Sequence, residues 1–434
     1  MPERFDVVVV GAGPAGAAAA LTLARAGKKV CLLERGPFAG SKNMYGGVIY
    51  GRTLDTLVPG WWERVPVQRW ITRRETRVMT QTQSLSIGFS CGAWGQPPYN
   101  GMTAFRADFD RWLADEAVAA GAVLVTSTVA TGLLRADGGA VTGVSTDRPD
   151  GDIKAKVVIA CDGVNSFLAK QAGLHPPDDP AHITLGVKEV LSLPRAEIER
   201  RFNVTGDEGV DIEALGVTGD IPGGGFIYTN LDTIAIGVVI QLTGLAKAKT
   251  RPEEVIAGFK RHPAIAPLVA GAELKEYSAH LVPEGGYDRM PRLACHGMLV
   301  AGDAAGMTLA TGLWLEGVNF AIGSGAAAGV TASDALDRGD VSVRGLGGYR
   351  RRLEQTFVLK NHKKLRRVPT LLLSDRVQNR YPSMLCDMTE GIFTVTDPAP
   401  KKGVRRIALA ARQRHGVRLA DLARDGWTAL RSFG

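Results

Sequence analysis

Apolar residues near the N-terminus form two short continuous runs separated by an alanine-rich stretch. The first run lies at 5–10 (FDVVVV) and the second at 29–33 (KVCLL). Continuous β-branched runs of this length are typical of strands that are buried on both faces, as in parallel sheets covered by helices. The alanine-rich segment between them predicts a helix that ends near Ala26. The pattern is therefore strand, helix, strand, which is the repeating unit of an α/β sheet.

Further apolar runs extend this pattern. Residues 157–160 (VVIA) and 297–301 (GMLVA) predict two more buried strands, and a helical stretch from Arg106 precedes a strand at 122–126 (AVLVT). Residues 129–146 predict a hairpin that turns at an Asp-Gly-Gly sequence. These elements enlarge the predicted N-terminal sheet.

The middle of the chain has a different pattern. Residues 186–193 and 226–241 are rich in β-branched side chains, and the second run turns at an Asn-Leu-Asp sequence, which predicts two adjacent strands. Residues 252–262 (PEEVIAGFKRH) begin with proline and acids and end with bases, an order that predicts a helix. The uncharged run at 317–333 predicts a buried helix, because it is shorter than the ~20 apolar residues of a membrane span.

The C-terminal region is predicted to be helical and is strongly basic. One helix is predicted from Leu346 to Pro369 at the latest, a second over 401–414, and an amphipathic stretch with Leu and Trp side chains over 419–430. From residue 344 to the end there are 20 basic and 7 acidic residues, a net charge of +13, whereas the rest of the chain carries −5. Three explanations remain open for this region: an anionic membrane surface, an acidic ferredoxin partner, or a solvated face. Nucleic-acid binding is not predicted, because no recognition motif or aromatic platform accompanies the bases.

Composition narrows the class of protein. The 434 residues are 45% hydrophobic and 22% charged, as expected for a folded protein of two or three domains. Its five cysteines are too far apart to predict a zinc or iron–sulfur site, so no metal site is predicted. Without a visible signal peptide or paired cysteines, we expect a cytoplasmic protein, with peripheral attachment to the inner face of the membrane as an option for the basic region.

A glycine-rich turn follows the first strand. Gly11, Gly13 and Gly16 form a GxGxxG motif, and Glu34 ends the second strand 18 residues later. The glycines allow a pyrophosphate to approach the N-terminus of the helix, and the acid is placed to accept hydrogen bonds from ribose hydroxyls. The whole context of strand, turn, helix, strand and acid predicts dinucleotide binding.

Two later motifs separate FAD from NAD as the dinucleotide. Asp162-Gly163 and Gly302-Asp303 follow predicted strands, where a carboxylate beside small residues can bind a ribityl hydroxyl; turn capping is the alternative role. There is no second GxGxxG, no CxxxxC, and no HExxH, GxSxG or P-loop motif. The seven scattered histidines are interpreted as structural or surface residues, so no acid–base catalyst is predicted and the flavin itself would carry the chemistry.

These motifs and their order resemble those of glutathione-reductase-type FAD enzymes of the hydroxylase-like branch, over residues 3–340. Within that branch the loop at 42–50 (KNMYGGVIY) and the segment 371–400 resemble the electron transfer flavoprotein–quinone oxidoreductases, specifically their Fix-type (FixC-like) members. The resemblance implies FAD as cofactor, an electron transfer flavoprotein as donor, and a quinone or a ferredoxin-like iron–sulfur subunit as acceptor. The mitochondrial type carries its own [4Fe–4S] domain, but this chain has a lone cysteine, Cys386, in that region and would need a separate subunit.

The resemblance also implies roles for individual residues. The glycine turn would hold the FAD pyrophosphate, Glu34 the adenosine ribose, Arg106 the diphosphate or ribityl region, and the backbone of Val129 the adenine. Asp303 would bind the ribityl chain or phosphate, and the segment 311–319 would pass the isoalloxazine ring. The predicted cofactor-binding residues are Gly11, Ala12, Gly13, Pro14, Ala15, Gly16, Glu34, Arg35, Gly46, Gly47, Arg106, Val129, Asp162, Gly163, Gly302, Asp303, Gly312, Gly317, Val318 and Asn319.

The predicted fold class is α/β, a Rossmann-type FAD-binding domain with an inserted, mostly antiparallel substrate or quinone sheet. The predicted division is 1–180 for the first part of the FAD domain, 181–290 for the inserted sheet, 291–340 for the second part, and 341–434 for the basic helical region.

Three functions are compatible with these residues. The first is an FAD oxidoreductase that passes electrons from an electron transfer flavoprotein to a quinone or a ferredoxin-like subunit. The alternative is a geranylgeranyl-reductase-like or hydroxylase-like FAD enzyme that acts directly on a small or isoprenoid substrate. A third is a flavin-bearing docking subunit that is inactive alone.

Overall fold

The computed structural model describes residues 4–42, 47–177 and 179–433. The strands, in chain order, are β1 (Arg4–Val10), β2 (Val30–Leu33), β3 (Gly47–Ile49), β4 (Arg69–Met79), β5 (Ser84–Ser90), β6 (Met102–Ala104), β7 (Val123–Val125), β8 (Ala130–Arg135), β9 (Val141–Thr146), β10 (Ile153–Ala160), β11 (Ile183–Ser192), β12 (Glu208–Leu215), β13 (Gly223–Thr229), β14 (Thr233–Gln241), β15 (Glu273–Pro283), β16 (Ala294–Cys295), β17 (Met298–Val300), β18 (Leu309–Ala310) and β19 (Leu315–Glu316). The helices are α1 (Pro14–Arg25), α2 (Arg106–Ala119), α3 (Phe167–Gln171), α4 (Arg195–Phe202), α5 (Leu242–Ala248), α6 (Pro252–Arg261), α7 (Ala266–Val269), α8 (Val318–Asp337), α9 (Val343–Leu346), α10 (Gly348–Gln355), α11 (Phe357–Lys364), α12 (Val368–Leu372), α13 (Tyr381–Phe393), α14 (Val404–Arg414) and α15 (Leu419–Phe433).

The first sheet has a parallel centre. Its strand order is β16-β17-β10-β1-β2-β7, and the pairs from β17 to β7 are parallel. The hairpin that the Asp-Gly-Gly sequence predicted is formed by β8 and β9, and β9 pairs with β10 in antiparallel fashion. Every residue of β2 is buried, which agrees with its continuous apolar sequence. The predicted α/β class is confirmed by this sheet and its helices.

The second sheet has nine strands and is mostly antiparallel. Its order is β15-β11-β14-β13-β12-β4-β6-β3, with β5 on β4. The predicted hairpin over 226–241 is confirmed as β13 and β14, and the predicted helix at 252–262 is α6. One face of this sheet forms its own apolar core with α4 and α6, which includes Ile212, Ile236 and Phe259.

The composition of the second sheet differs from the predicted division of the chain. Four of its strands, β3 to β6, come from residues that the sequence assigned to the flavin-binding part at 1–180. They join it because β4 pairs in parallel with β12, from Trp70 beside Glu208 to Val78 beside Leu215. Such pairing between distant segments leaves no local pattern in the sequence. The exact domain boundaries therefore stay a prediction.

The C-terminal region corrects one predicted element. The single helix expected from Leu346 towards Pro369 is broken at Thr356, where the backbone is extended between α10 and α11. The break allows Leu353 and Leu359 to be buried in the same core as β1 and α1. The later helices α14 and α15 agree with the predicted amphipathic stretches. In the part of the chain that the structure describes, no helix is long and apolar enough to cross a bilayer.

Candidate functional site

The turn between β1 and α1 is very tightly packed. Gly11 has φ +99°, and a Cβ there would lie 2.3 Å from the Cys161 carbonyl oxygen of the neighbouring β10 end. A Cβ on Gly16 would lie 1.8 Å from the Gly11 carbonyl oxygen. At Gly13, by contrast, no atom of the described residues lies within 4 Å of such a Cβ. Two glycines close the turn, and the third leaves open space beside the N-terminus of α1.

Glu34, which follows β2, stabilises this turn through hydrogen bonds. Its two carboxylate oxygens accept hydrogen bonds from the backbone N–H groups of Ala12, at 3.1 Å, and Gly36, at 2.7 Å. The side chain is buried but still borders the open space. Glu34 therefore fixes the glycine turn while its carboxylate borders the ligand site.

An open cleft of about 350 Å³ extends from this turn across the carboxyl ends of the parallel strands. Such crevices at strand ends are the usual ligand sites of open α/β sheets. The predicted residues that line it are Gly11, Gly13, Pro14, Ala15, Glu34, Arg35, Arg106, Val129, Asp162, Gly163, Gly302, Asp303, Gly317 and Val318. The structure thus brings most of the predicted site, drawn from seven separate segments, to one cleft.

Some predicted residues lie elsewhere. Ala12 and Gly16 are buried behind the turn, and Gly47 lies in β3 outside the cleft lining. Gly312 borders a second cavity. The side-chain N–H of Asn319 donates to Glu316 at 2.8 Å rather than facing the cleft. Gly46 and the rest of the 43–46 loop, on which the narrower family resemblance partly rested, lie outside the described residues.

Two of the cleft residues already have local partners. Asp162 accepts a hydrogen bond from the backbone N–H of Leu168 at 3.1 Å, so it caps α3 as well as lining the cleft. The backbone N–H of Val129 donates to the Asp147 carboxylate at 2.9 Å, and its carbonyl accepts from the Asp147 N–H at 3.0 Å. A backbone contact from Val129 to a ligand is therefore restricted to the remaining lone pair of its carbonyl.

Arg106 and Asp303 form the charged centre of the cleft. Arg106 donates to Asp110, one turn along α2, from Nε at 2.8 Å and Nη2 at 2.9 Å, which fixes its guanidinium at the cleft wall. Burial raises the pKa of Asp303, and the nearby Arg106 and His280 oppose that rise. Both side chains therefore line the same cleft, and the Arg106 guanidinium offsets part of the cost of burying the Asp303 carboxyl.

His280 was missed as a site residue. The sequence interpretation treated it as structural or surface, but β15 carries it into the cleft beside Asp303. Burial lowers the pKa of His280, which favours the neutral ring. The strand that carries it was not predicted, so the sequence offered no signal for this placement. Lys42, Asn165 and Thr308 were missed in the same way.

A second cavity, of about 50 Å³, borders the same chain segment, 308–317, as the cleft. Its floor is the second sheet, with Gly224 and Val239, and its lid is the residues Leu372 and Leu373 at the end of α12. The small hairpin of β18 and β19 separates the two spaces: Gly317 borders the cleft, whereas Ala310, Gly312 and Leu315 border the cavity. The lining is largely apolar side chains and glycine backbone, and such a chamber suits a flat apolar ligand.

Polar side chains form two groups on the second sheet, and Glu213 of the first group lines the second cavity. Arg74 on β4 donates to Asp211 at 3.2 Å and to Glu213 at 2.9 Å, both on the neighbouring strand β12. The buried Lys188 on β11 donates to the Tyr228 hydroxyl at 3.4 Å, and burial lowers the pKa of this lysine to about 7. None of these residues was predicted as part of the site, because a strand pattern does not reveal which face of a sheet will meet another domain.

Comparisons with known proteins agree with this geometry. A model of the FAD binding domain matches residues 4–199, and a model of the ETF-QO/FixC family C-terminal domain matches residues 368–434. The chain is 40% identical over 425 residues to the probable electron transfer flavoprotein-quinone oxidoreductase YdiS of Escherichia coli K12, covering 98% of each chain. It is also 40% identical over 403 residues to Protein FixC of Bradyrhizobium diazoefficiens, covering 92% of each.

Solved structures match the fold at lower identity. A geranylgeranyl bacteriochlorophyll reductase-like protein from Thermoplasma acidophilum aligns with a TM-score of 0.73 at 20% identity, over 95% of this chain and 96% of that one. The flavin-dependent brominase Bmp2 aligns with a TM-score of 0.66 at 16% identity, over 95% and 99% of the two chains. At these identities the likeness concerns the fold alone.

Proposed function

Because this chain belongs to the electron transfer flavoprotein–quinone oxidoreductase/FixC family, we propose that it takes electrons from an electron transfer flavoprotein and delivers them to a quinone. FAD is its cofactor, and it is an FAD-dependent oxidoreductase. The observation that carries the proposal is the arrangement of a dinucleotide cleft and an apolar chamber on opposite sides of one thin hairpin.

The cleft residues fit FAD. The space beside Gly13 and the N-terminus of α1 accepts a pyrophosphate, since backbone N–H groups and the helix dipole favour negative charge there. Glu34 would bind the adenosine ribose, and Arg106 and Asp303 would hold the diphosphate and ribityl region. The 20-residue helix α8 begins beside the cleft at Gly317 and Val318, and its N-terminus would stabilise negative charge on the flavin. When bound, FAD supplies the redox chemistry.

The apolar chamber would take the quinone ring. Its lining is mostly apolar side chains and glycine backbone, which suits a flat apolar ring. The hairpin from Leu309 to Glu316 would be the layer between donor and acceptor. The ferredoxin-like subunit expected from the resemblance is part of the proposal as a second electron partner, which would dock on the outside of the chain.

A surface helix supports association with a membrane, where quinones reside. The buried side of α15 is polar: Asp425 accepts hydrogen bonds from Arg376, at 2.6 and 3.0 Å, and from the Tyr381 hydroxyl, at 2.7 Å. Its outer side exposes Trp427 and Leu430, at 62% and 68%. An apolar face turned outward among basic residues is suited to the interface of an anionic bilayer. We propose that this helix lies on the membrane surface, with docking of an acidic partner as the competing outcome.

The donor can be identified by anaerobic reduction of the isolated holoprotein. Reduced electron transfer flavoprotein should bleach the bound FAD within seconds, whereas NADPH in excess should leave it oxidised. Bleaching by NADPH, faster when an isoprenoid substrate is added, would instead support the geranylgeranyl-reductase-like alternative. Failure of the electron transfer flavoprotein to reduce FAD would contradict the proposal.

A further inference from the structure

Two carboxyl residues, Glu213 and Glu284, lie in the wall of the apolar chamber, and Glu213 is on its sheet wall. The chamber is lined by backbone and apolar side chains of β12 to β14, among them Ala214, Leu215 and Phe226, yet the Glu213 carboxyl lies among them. A carboxylate in such a setting loses much of its hydration, and this loss is costly unless the group is paired or protonated. We therefore ask which chemical role could account for a carboxyl group in this wall.

The two carboxyl oxygens of Glu213 differ in their hydrogen bonding. Oε1 accepts a hydrogen bond from Arg74 Nη2 at 2.9 Å. Oε2 is buried and has no hydrogen-bond partner among the described residues. The same Arg74 nitrogen also donates to the Leu313 carbonyl at 2.7 Å, in the turn of the hairpin that separates the chamber from the cleft. The guanidinium thus fixes the carboxyl and the hairpin relative to each other.

The surrounding charges favour a proton on Glu213. Burial and the like charge of Asp211, two residues along β12, raise the pKa of Glu213 to about 8, and Glu316 adds to the rise. Arg74 opposes it, but this guanidinium also pairs with Asp211 at 3.2 Å. The other titratable side chains near this carboxyl are Tyr50, across the cluster, and Glu284, in the chamber wall. Neutral pH therefore leaves Glu213 able to donate.

We propose that Glu213 is the residue that protonates the quinone in this chamber, and that Arg74 positions it. The inference rests on the function proposed above. Reduction of a quinone requires two electrons and two protons. Reduced FAD would supply the two electrons and, as it is oxidised, the first proton. The second proton leaves Glu213 as its O–H bond breaks and an O–H bond forms on the quinone oxygen, which leaves a carboxylate beside Arg74.

The structure also provides a route for reprotonation. An outer cleft of about 460 Å³ borders the cluster and is lined by Tyr50, Arg74 and Glu316, among other residues. Arg74 therefore borders the outer cleft and contacts the carboxyl in the chamber. Water in the outer cleft would return a proton to Glu213 through this cluster, without opening the apolar chamber itself.

The test uses the full-length holoprotein and the variants Glu213→Gln and Glu213→Asp, with Glu273→Gln as control. Glu273 lies on β15, and its side chain is 74% exposed. After anaerobic reduction, reoxidation of the FAD by a short-chain quinone should be about 100-fold slower in Glu213→Gln and partly restored in Glu213→Asp. Reoxidation by ferricenium, a one-electron acceptor that takes no proton, should be unchanged in all three variants.

Infrared spectroscopy and pH give independent readouts. At neutral pH the wild type should show a protonated-carboxyl stretch that is missing in Glu213→Gln and kept in Glu273→Gln. Because Glu213 donates only when protonated, the wild-type rate with quinone should fall as pH rises through about 8, and Glu213→Gln should lose that dependence. If quinone oxidises wild type and Glu213→Gln equally fast, or if no such stretch is found, the proposed role of Glu213 is wrong, whereas the proposed function of the protein is unaffected. If quinone does not oxidise the wild type, the proposed function fails with it.

Discussion

At the scale of single residues, the cleft is formed by backbone that side chains would obstruct. The Gly11 and Gly16 positions have no room for a Cβ, and Glu34 fixes the same turn through two backbone N–H groups. The spacing of the glycines and the acid was sufficient to predict this part of the site. The roles of His280 and Glu213 could not be predicted, because each depends on which strand of the second sheet lies beside the flavin-binding part.

We expect Gly11→Ala to destabilise the protein and to lower its FAD content together. The new methyl group would be strained at φ +99° and would collide with the Cys161 carbonyl. These effects amount to about 2 to 4 kcal/mol in the free energy of unfolding. Urea unfolding and the flavin-to-protein absorbance ratio measure both. Gly138→Ala, in a turn with open space around it, is the matched control. Equal unfolding midpoints for both variants would refute the packing argument.

At the scale of elements, the sequence predicted those helices and strands whose positions depend on the local pattern of residues. The strands β1, β2 and β10 and the helices α1, α2, α6 and α8 agree with their predicted positions, because period and flanking residues specify them. The short strands β3 and β6 were not predicted, since their partners lie far away in the chain. The break at Thr356 was also missed, because the basic residues around it are all compatible with helix.

The contact between α1 and α8 depends on a second glycine. A Cβ on Gly325 would lie 1.9 Å from the Ala15 carbonyl oxygen, so Gly325→Ala must push α8 away from the glycine turn. We expect a loss of about 1 to 3 kcal/mol in the free energy of unfolding. Gly258→Ala, at an exposed position of α6 with open space, should instead stabilise by about 0.5 to 1 kcal/mol. Thermal unfolding of both variants checks the pair; a stabilising Gly325→Ala would mean that the helices are not in close contact.

At the scale of the whole molecule, two apolar cores meet at the site. One core contains the parallel sheet with α1, α2 and α8, and the other contains the second sheet with α4 and α6. Both the cleft and the apolar chamber lie where these two parts face each other. Residues 344–434 carry a net charge of +13, and this region also closes the apolar chamber through Leu372 and Leu373. The exposed apolar face of α15, with Trp427 and Leu430, is available for association with something outside the chain.

Membrane association can be tested on the outer face of α15. Trp427→Glu combined with Leu430→Glu should reduce cosedimentation with anionic phospholipid vesicles by about tenfold and leave FAD content unchanged. Val118→Glu, at an exposed apolar position on α2, is the control and should bind like the wild type. Binding of the wild type should weaken as salt rises, because the basic residues are screened. Vesicle binding that survives the double substitution would remove the proposed role of α15.

The most direct test of the account is the transfer of electrons from the donor to a quinone through the bound FAD. Holoprotein is reduced anaerobically with a stoichiometric amount of reduced electron transfer flavoprotein and then mixed with a short-chain quinone, and flavin absorbance is followed in time. We predict rapid return of the oxidised FAD spectrum with one quinol formed per FAD, and a stable reduced spectrum in buffer alone. FAD that stays reduced in the presence of quinone would contradict the account.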